Sequence, residues 1–134
     1  MNKTQSEASE FVSAYRSLAA GKGRVDVVIV PPFTALPETV NALGSQDVIK
    51  VGAQNMHWEA SGAYTGEISA MMLRALPVDY VVIGHSERRQ YFGETDETVN
   101  HKVKAAHEAR LKPIVCVGES LEQRDADQVG EVLK

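Results

Sequence analysis

Long apolar runs are missing from this sequence. Nowhere do its hydrophobic residues approach the roughly 20 consecutive positions that a bilayer-crossing helix needs. The opening stretch MNKTQSEASE also lacks the apolar core of a secretory leader. Membrane insertion is therefore not expected, and the cytoplasm is the expected compartment. Cysteine is nearly absent: Cys116 stands alone, so neither an internal disulfide nor a multi-cysteine metal site can form, in keeping with a reducing compartment. Charge of one sign is not in large excess, with 14 Lys+Arg against 18 Asp+Glu and a net charge of -4. The basic residues are scattered and offer no stripe for a phosphate backbone to follow, so nucleic acid is not an expected partner. No Pro-rich or Ser-rich linker divides the chain, and one domain is expected over residues 1–134.

What is present is the composition of a globular protein, 43% hydrophobic and 24% charged, long enough to bury a core. Thr4 and Glu7 have the spacing of a capping box. After them Ala8, Phe11, Val12, Tyr15, Leu18 and Ala19 recur at helical intervals until Gly21 and Gly23. VDVVIVPP then reads as a strand buried on both faces, and Leu36 to Leu43 as a helix with Thr34 as its cap. Lys50 to Asn55 is the next expected strand, MHWEASGAYTG a long loop, and ISAMMLRAL a helix closed by Pro77. YVVIG follows as a third strand, SERRQYF as a helical turn stopped by Gly93, and Thr95 to Arg110 as a helix with Val99, Val103 and Ala106 inward. PIVCVG is the fourth strand, GESLEQRDAD a loop, and Gln128 to Lys134 a last helix. Strand starts near Asp26, Lys50, Asp79 and Pro113 lie about 25 to 35 residues apart, the size of a βα unit. Short apolar strands alternating with amphipathic helices imply an α/β fold with four parallel strands and flanking helices.

Chemistry in such folds gathers beyond the C-terminal ends of the strands, where loops and helix N-termini converge. That rule selects PPFT, AQN, GHSER and GES. His85 lies in the third. Gly84 allows a sharp turn, and a helix starting at Ser86 would direct its positive end towards the imidazole. That end disfavours the imidazolium and leaves a neutral hydrogen-bond donor able to polarise a carbonyl. By pattern alone, a histidine at a strand end is as often structural as catalytic. His101 and His107 fall on or beside a polar helix face, and His57 is a weaker candidate than His85. No two histidines have the i,i+4 spacing of a helical metal site. His85-Ser86-Glu87 fits the H-x-E of zinc deaminases, but the P-C-x-x-C partner is absent, because Pro113 to Cys116 is P-I-V-C. No metal is expected. Arg88 and Arg89 could form an anion site, although ion pairs with Glu94 or Glu97 are the simpler use. Glu87, a carboxylate beside His85, is expected either to be buried with a partner or to take part in chemistry.

GHSERR (Gly84 to Arg89) stands in one chain with VGAQNMHWEASGAYTGE (Val51 to Glu67), PPFTAL (Pro31 to Leu36) and PIVCVGES (Pro113 to Ser120). In order and spacing these segments resemble the triosephosphate isomerase family over essentially the whole chain. The resemblance implies a (β/α)8, or TIM, barrel, here incomplete. It also implies a cofactor-free isomerase interconverting dihydroxyacetone phosphate and glyceraldehyde 3-phosphate through an enediolate, in glycolysis and gluconeogenesis. His85 matches the electrophile, Glu87 the carboxylate next to it, and Gln54 and Asn55 positions around the site floor. Arg88 and Glu94 match an ion pair bracing the segment after His85. The loop from Met56 to Gly66 resembles the arm that inserts into the second subunit of a homodimer. Within it Thr65, flanked by Tyr64 and Gly66, would approach that subunit's active site.

The departures from the family pattern shape the expectation. Family members carry N-x-K-M-N at the end of their first strand, and this sequence opens at the M-N of that motif. Lys3, which follows it, is expected to face solvent rather than replace the substrate lysine. The segments that supply the base glutamate, the closing loop and the glycine-rich phosphate loops have no match, and a full barrel needs about 250 residues and eight strands. Two expectations stand side by side: part of an isomerase, inactive alone, or a non-catalytic half-barrel acting as an assembly or binding module.

Overall fold

The computed structural model describes residues 1–19 (backbone only at 19), 25–44 and 48–133. The expected stops at Gly21 and Gly23, and the end of the last helix at Lys134, lie outside them. Helix α1 spans Gln5–Ala19. Its capping box forms as the sequence implies: Thr4 N–H donates to the Glu7 carboxylate at 2.7 Å, and Glu7 N–H donates back to Thr4 Oγ1 at 3.5 Å. Ala8 and Val12 are buried, but Phe11 and Leu18 stay 45% and 74% exposed. The inward stripe is thus narrower than the spacing suggests: among the described residues, the helix that α1 packs on is the one that follows the first strand.

That neighbour is α2, Leu36–Leu43, which follows strand β1, Val28–Ile29, and a 3-10 turn at Phe33–Ala35. Two expectations are corrected here. β1 is half-buried rather than buried on both faces; among the described residues it pairs with the strand at Lys50–Ala53. Thr34 does not cap α2: the 3-10 turn absorbs it, Ala35 takes the cap position, and Pro37 lies in the first turn, where its missing N–H costs nothing.

Strand β2 is Lys50–Ala53, ending two residues sooner than expected, and α3 is Ala70–Arg74, capped by Ser69 Oγ accepting from Met72 N–H at 3.3 Å. Strand β3, Tyr80–Ile83, leads into α4, Ser86–Phe92, which Gly93 ends in the left-handed conformation. Helix α5, Asp96–Glu108, starts with a reciprocal Thr95–Thr98 capping box and buries Val99 and Ala106. Strand β4 is Lys112–Val115. The stretch expected as a loop after it instead contains α6, Leu121–Asp125, followed by α7, Val129–Val132. Its signal is a capping box: Ser120 and Gln123 exchange hydrogen bonds, and S-x-x-Q is the sequence form of that motif.

The four strands are parallel and lie in the order β1-β2-β3-β4. Val28 pairs with Lys50, Gly52 with Tyr80, and Tyr80 with Lys112. Gly52 is a close-approach position, since a Cβ there would stand 3.2 Å from Val28, Val30 and Tyr80 side-chain atoms. The core lies between the sheet and its helices, centred on Leu36, Met56, Leu73, Val81, Ile83 and Leu111. The whole is an α/β sheet of four successive βα units, the architecture of a partial TIM barrel. Among the described residues, no helix is long and apolar enough to cross a membrane.

Candidate functional site at the strand C-termini

Gly84 closes β3 with φ of 76°, and a Cβ there would meet the Cys116 carbonyl, Arg89 Nη2 and Val99 Cγ2, each at 3.2 Å. Only glycine fits both the dihedral and the space. The turn puts His85 at the N-cap of α4. Its carbonyl accepts the N–H groups of Arg88 and Arg89 at 2.9 and 3.1 Å, and its ring Nδ1 accepts the N–H of Glu87 at 3.3 Å. Nδ1 is committed as an acceptor, so the proton of the neutral ring resides on Nε2. The side chain is 45% exposed, and Glu87 Oε2 lies 3.7 Å from Nδ1. Glu87 itself is 73% exposed, so of the two expected uses burial with a partner is not met: it belongs to the first turn of a surface helix, where its carboxylate faces solvent and the ring.

Gly84 is held from both sides. Its N–H donates to Glu94 Oε2 at 3.0 Å, and its carbonyl accepts from Arg89 Nε at 2.9 Å. Arg89 is fixed in turn by Asp96 at 2.7 Å, not by Glu94 or Glu97. Glu94 is buried and ion-paired with Lys102, whose Nζ also donates to Asn55 Oδ1 at 2.8 Å. Arg88 approaches Glu94 only to 3.8 Å, without a hydrogen bond, and its guanidinium lies 4.9 Å over the Phe92 ring. Lys102 escaped the sequence reading. Its signal was position: it sits three residues after Val99 and four before Ala106, on the apolar stripe of α5.

Of the floor positions, Asn55 is buried in that network, while Gln54 is exposed and ties two strand ends by donating from Nε2 to the Val30 carbonyl at 3.1 Å. The 56–66 loop is anchored at its base by Met56, fully buried, and by His57 N–H donating to the Ile68 carbonyl at 2.8 Å. The His57 ring packs against Trp58 and Tyr64, with centroids 4.2 and 4.5 Å away. Tyr64, Thr65 and Gly66 lie on its exposed outer part, away from the His85 cluster in sequence and bonded to none of its members. Lys3 faces solvent, as expected. Near the fourth strand end, Arg124 donates to Glu119 at 2.7 Å, and the Glu119 backbone N–H together with Arg124 holds that carboxyl below its usual range. No group of three or more metal-ligating side chains comes together among the described residues.

Parallel βα units with a histidine at the cap of the helix leaving a central strand are the arrangement of the β/α class, in which sites lie at the C-terminal strand ends. The chain belongs to the triosephosphate isomerase family, whose model matches residues 1–134. It is 58% identical over 134 residues to a triosephosphate isomerase of Alkaliphilus metalliredigens, and 58% identical over the same length to one of Acetivibrio thermocellus. A third, from Alkaliphilus oremlandii, is 56% identical. In each case all of this chain is covered and 53% of the relative, so the chain spans about half the length of the curated relatives it matches.

Proposed function

We propose that these residues are the histidine-bearing part of a triosephosphate isomerase, acting on dihydroxyacetone phosphate and glyceraldehyde 3-phosphate in the cytoplasm. The observation that carries this is the His85 ring: Nδ1 accepts the Glu87 N–H, which leaves an Nε2–H donor at the mouth of the strands. A neutral donor there polarises the substrate carbonyl and stabilises the oxyanion that develops when the adjacent carbon loses its proton. Glu87 supports the ring from 3.7 Å. Gln54 and Asn55 complete the floor, and Arg88 with Glu94 braces the segment. The exposed Tyr64-Thr65-Gly66 stretch serves as the homodimer contact that reaches the second subunit's site. Neither cofactor nor metal takes part.

The same reading holds that the 134-residue polypeptide does not isomerise by itself. The base and the phosphate-gripping loops are attributed to parts of the relatives that the chain does not span, and without them the remote binding energy that fixes the substrate is lost. A coupled isomerase assay on the polypeptide alone, then mixed with a protein supplying the remaining strands, tests both claims. Turnover only after mixing, abolished by His85→Gln, is the expected result. Turnover that survives His85→Gln would overturn the assignment of His85, and no turnover under either condition would favour a non-catalytic half-barrel.

A further inference from the structure

We propose that Lys102 is a positioning residue for His85, acting through Glu94 and Gly84 while pinned to Asn55; the inference rests on the isomerase reading of His85. Lys102, Glu94 and Asn55 are 4%, 7% and 5% exposed, so this polar connection runs through the interior. Lys102 Nζ donates to Asn55 Oδ1, just past β2, and pairs with Glu94 Oε1. The second oxygen of the same carboxylate, Oε2, accepts the N–H of Gly84, the residue that aims His85. One ammonium on α5 thereby fixes the ends of two adjacent strands relative to each other.

Stability gives no sufficient reason for this arrangement. Taking an ammonium and a carboxylate out of water costs about as much as their attraction returns, and an apolar pair of similar volume often serves as well. Direction is what a hydrogen-bonded ion pair adds and an apolar contact cannot supply. Lys102 holds Oε1 of Glu94 and so fixes the angle at which Oε2 meets the Gly84 N–H. Arg89 grips the carbonyl of Gly84 from the other side, so the peptide units flanking Gly84, the second of which leads into His85, have little freedom to turn. A small rotation at Gly84 swings the imidazole through a larger arc, and misplacement by about 1 Å costs on the order of 100-fold in rate.

The test uses the isomerase that carries this sequence, with Lys102→Met, Lys102→Arg and the double variant Lys102→Met/Glu94→Gln. The double variant leaves no unpaired buried charge, and the side-chain amide introduced by Glu94→Gln can still accept the Gly84 N–H through its oxygen. Expected for Lys102→Met is a kcat lower by about 100-fold at little-changed KM, with the Gly84 amide and the His85 ring nitrogen resonances displaced together. Lys102→Arg should recover part of both. If Lys102→Met does not fold, the double variant decides. A folded double variant with wild-type kcat and unmoved Gly84 and His85 resonances overturns the proposal, whereas a folded one with lowered kcat and moved resonances supports it. A wild-type protein without isomerase activity would refute the isomerase reading alone, and the resonances would then decide whether Lys102 positions His85.

Discussion

Glu87 donates its backbone N–H to the ring Nδ1 of His85 at 3.3 Å while its carboxylate stands 3.7 Å from the same atom. The first contact requires a lone pair on Nδ1; a proton there would turn the N–H contact repulsive. One residue therefore presents a donor and an acceptor to one nitrogen, and the helix start decides which is used.

The neutral ring of His85 should accordingly exist as the Nε2–H tautomer. Long-range proton-nitrogen correlation spectra of the imidazole, compared with those of the exposed His107, distinguish the two forms directly. A predominant Nδ1–H signal would falsify the arrangement.

Gly84→Ala and Gly93→Ala place the same methyl at two positive φ values, 76° and 65°, in different surroundings. At Gly93 nothing lies within 4 Å of the added carbon, so the cost is the left-handed backbone alone, about 1–2 kcal/mol. Gly84→Ala should cost clearly more, because three atoms stand 3.2 Å from the new methyl and one is the Cys116 carbonyl. Urea midpoints of the two variants give the comparison, and equal losses would contradict it.

Much of the architecture was legible in the sequence, and the places where it was not share a physical cause. The four strands and the helices at Gln5, Leu36 and Asp96 follow from apolar spacing, which a tertiary context of parallel βα units reinforces. Helix α6 was missed because Leu121 is the only large apolar residue in its five positions, so no periodicity announces it, and only the Ser120–Gln123 pair does. The turn at Gly84 and the place of His85 were readable because a glycine between an apolar run and a helical turn has few other uses. The interior partner of Glu94 was not, since a lysine in the string Asn100-His101-Lys102-Val103-Lys104 looks solvated until a buried carboxylate and an amide are found facing it.

Leu73, fully enclosed on α3 at 1% exposure, should be a point of high cost: Leu73→Ala is expected to destabilise by about 2–5 kcal/mol through lost burial and a residual cavity. Met72→Ala, one position along but 58% exposed, should stay within about 0.5 kcal/mol. Parallel denaturant titrations settle the contrast, and a small loss at Leu73 would mean that its surroundings collapse onto the vacancy.

Acid should loosen the start of α1 before it affects the core. The Thr4 N–H, and after it the Thr4 hydroxyl, hold the Glu7 carboxyl below its usual range. A carboxyl depressed in the folded state contributes stability above its unfolded value and loses that contribution as the pH falls through the lowered one. The Thr4 amide resonance should therefore move in the acid range, below the usual carboxylate titration, and Glu7→Gln should abolish the movement. An amide shift in the unsubstituted protein that stays flat down to the onset of global unfolding would count against the capping box as the cause.

Because the sheet is laid out as β1-β2-β3-β4, β2, β3 and β4 each pair with the strand synthesised just before. Closure of these three connections is therefore a local event with a modest entropic cost. The chain can thus be organised as it leaves the ribosome, one βα unit docking on the last, with Gly84 and His85 taking their places when Glu94 and Lys102 emerge. The pin between Lys102 and Asn55 would then be a late lock, closing over strands already aligned, and a nascent chain halted before residue 102 would carry the imidazole without the means to hold it still.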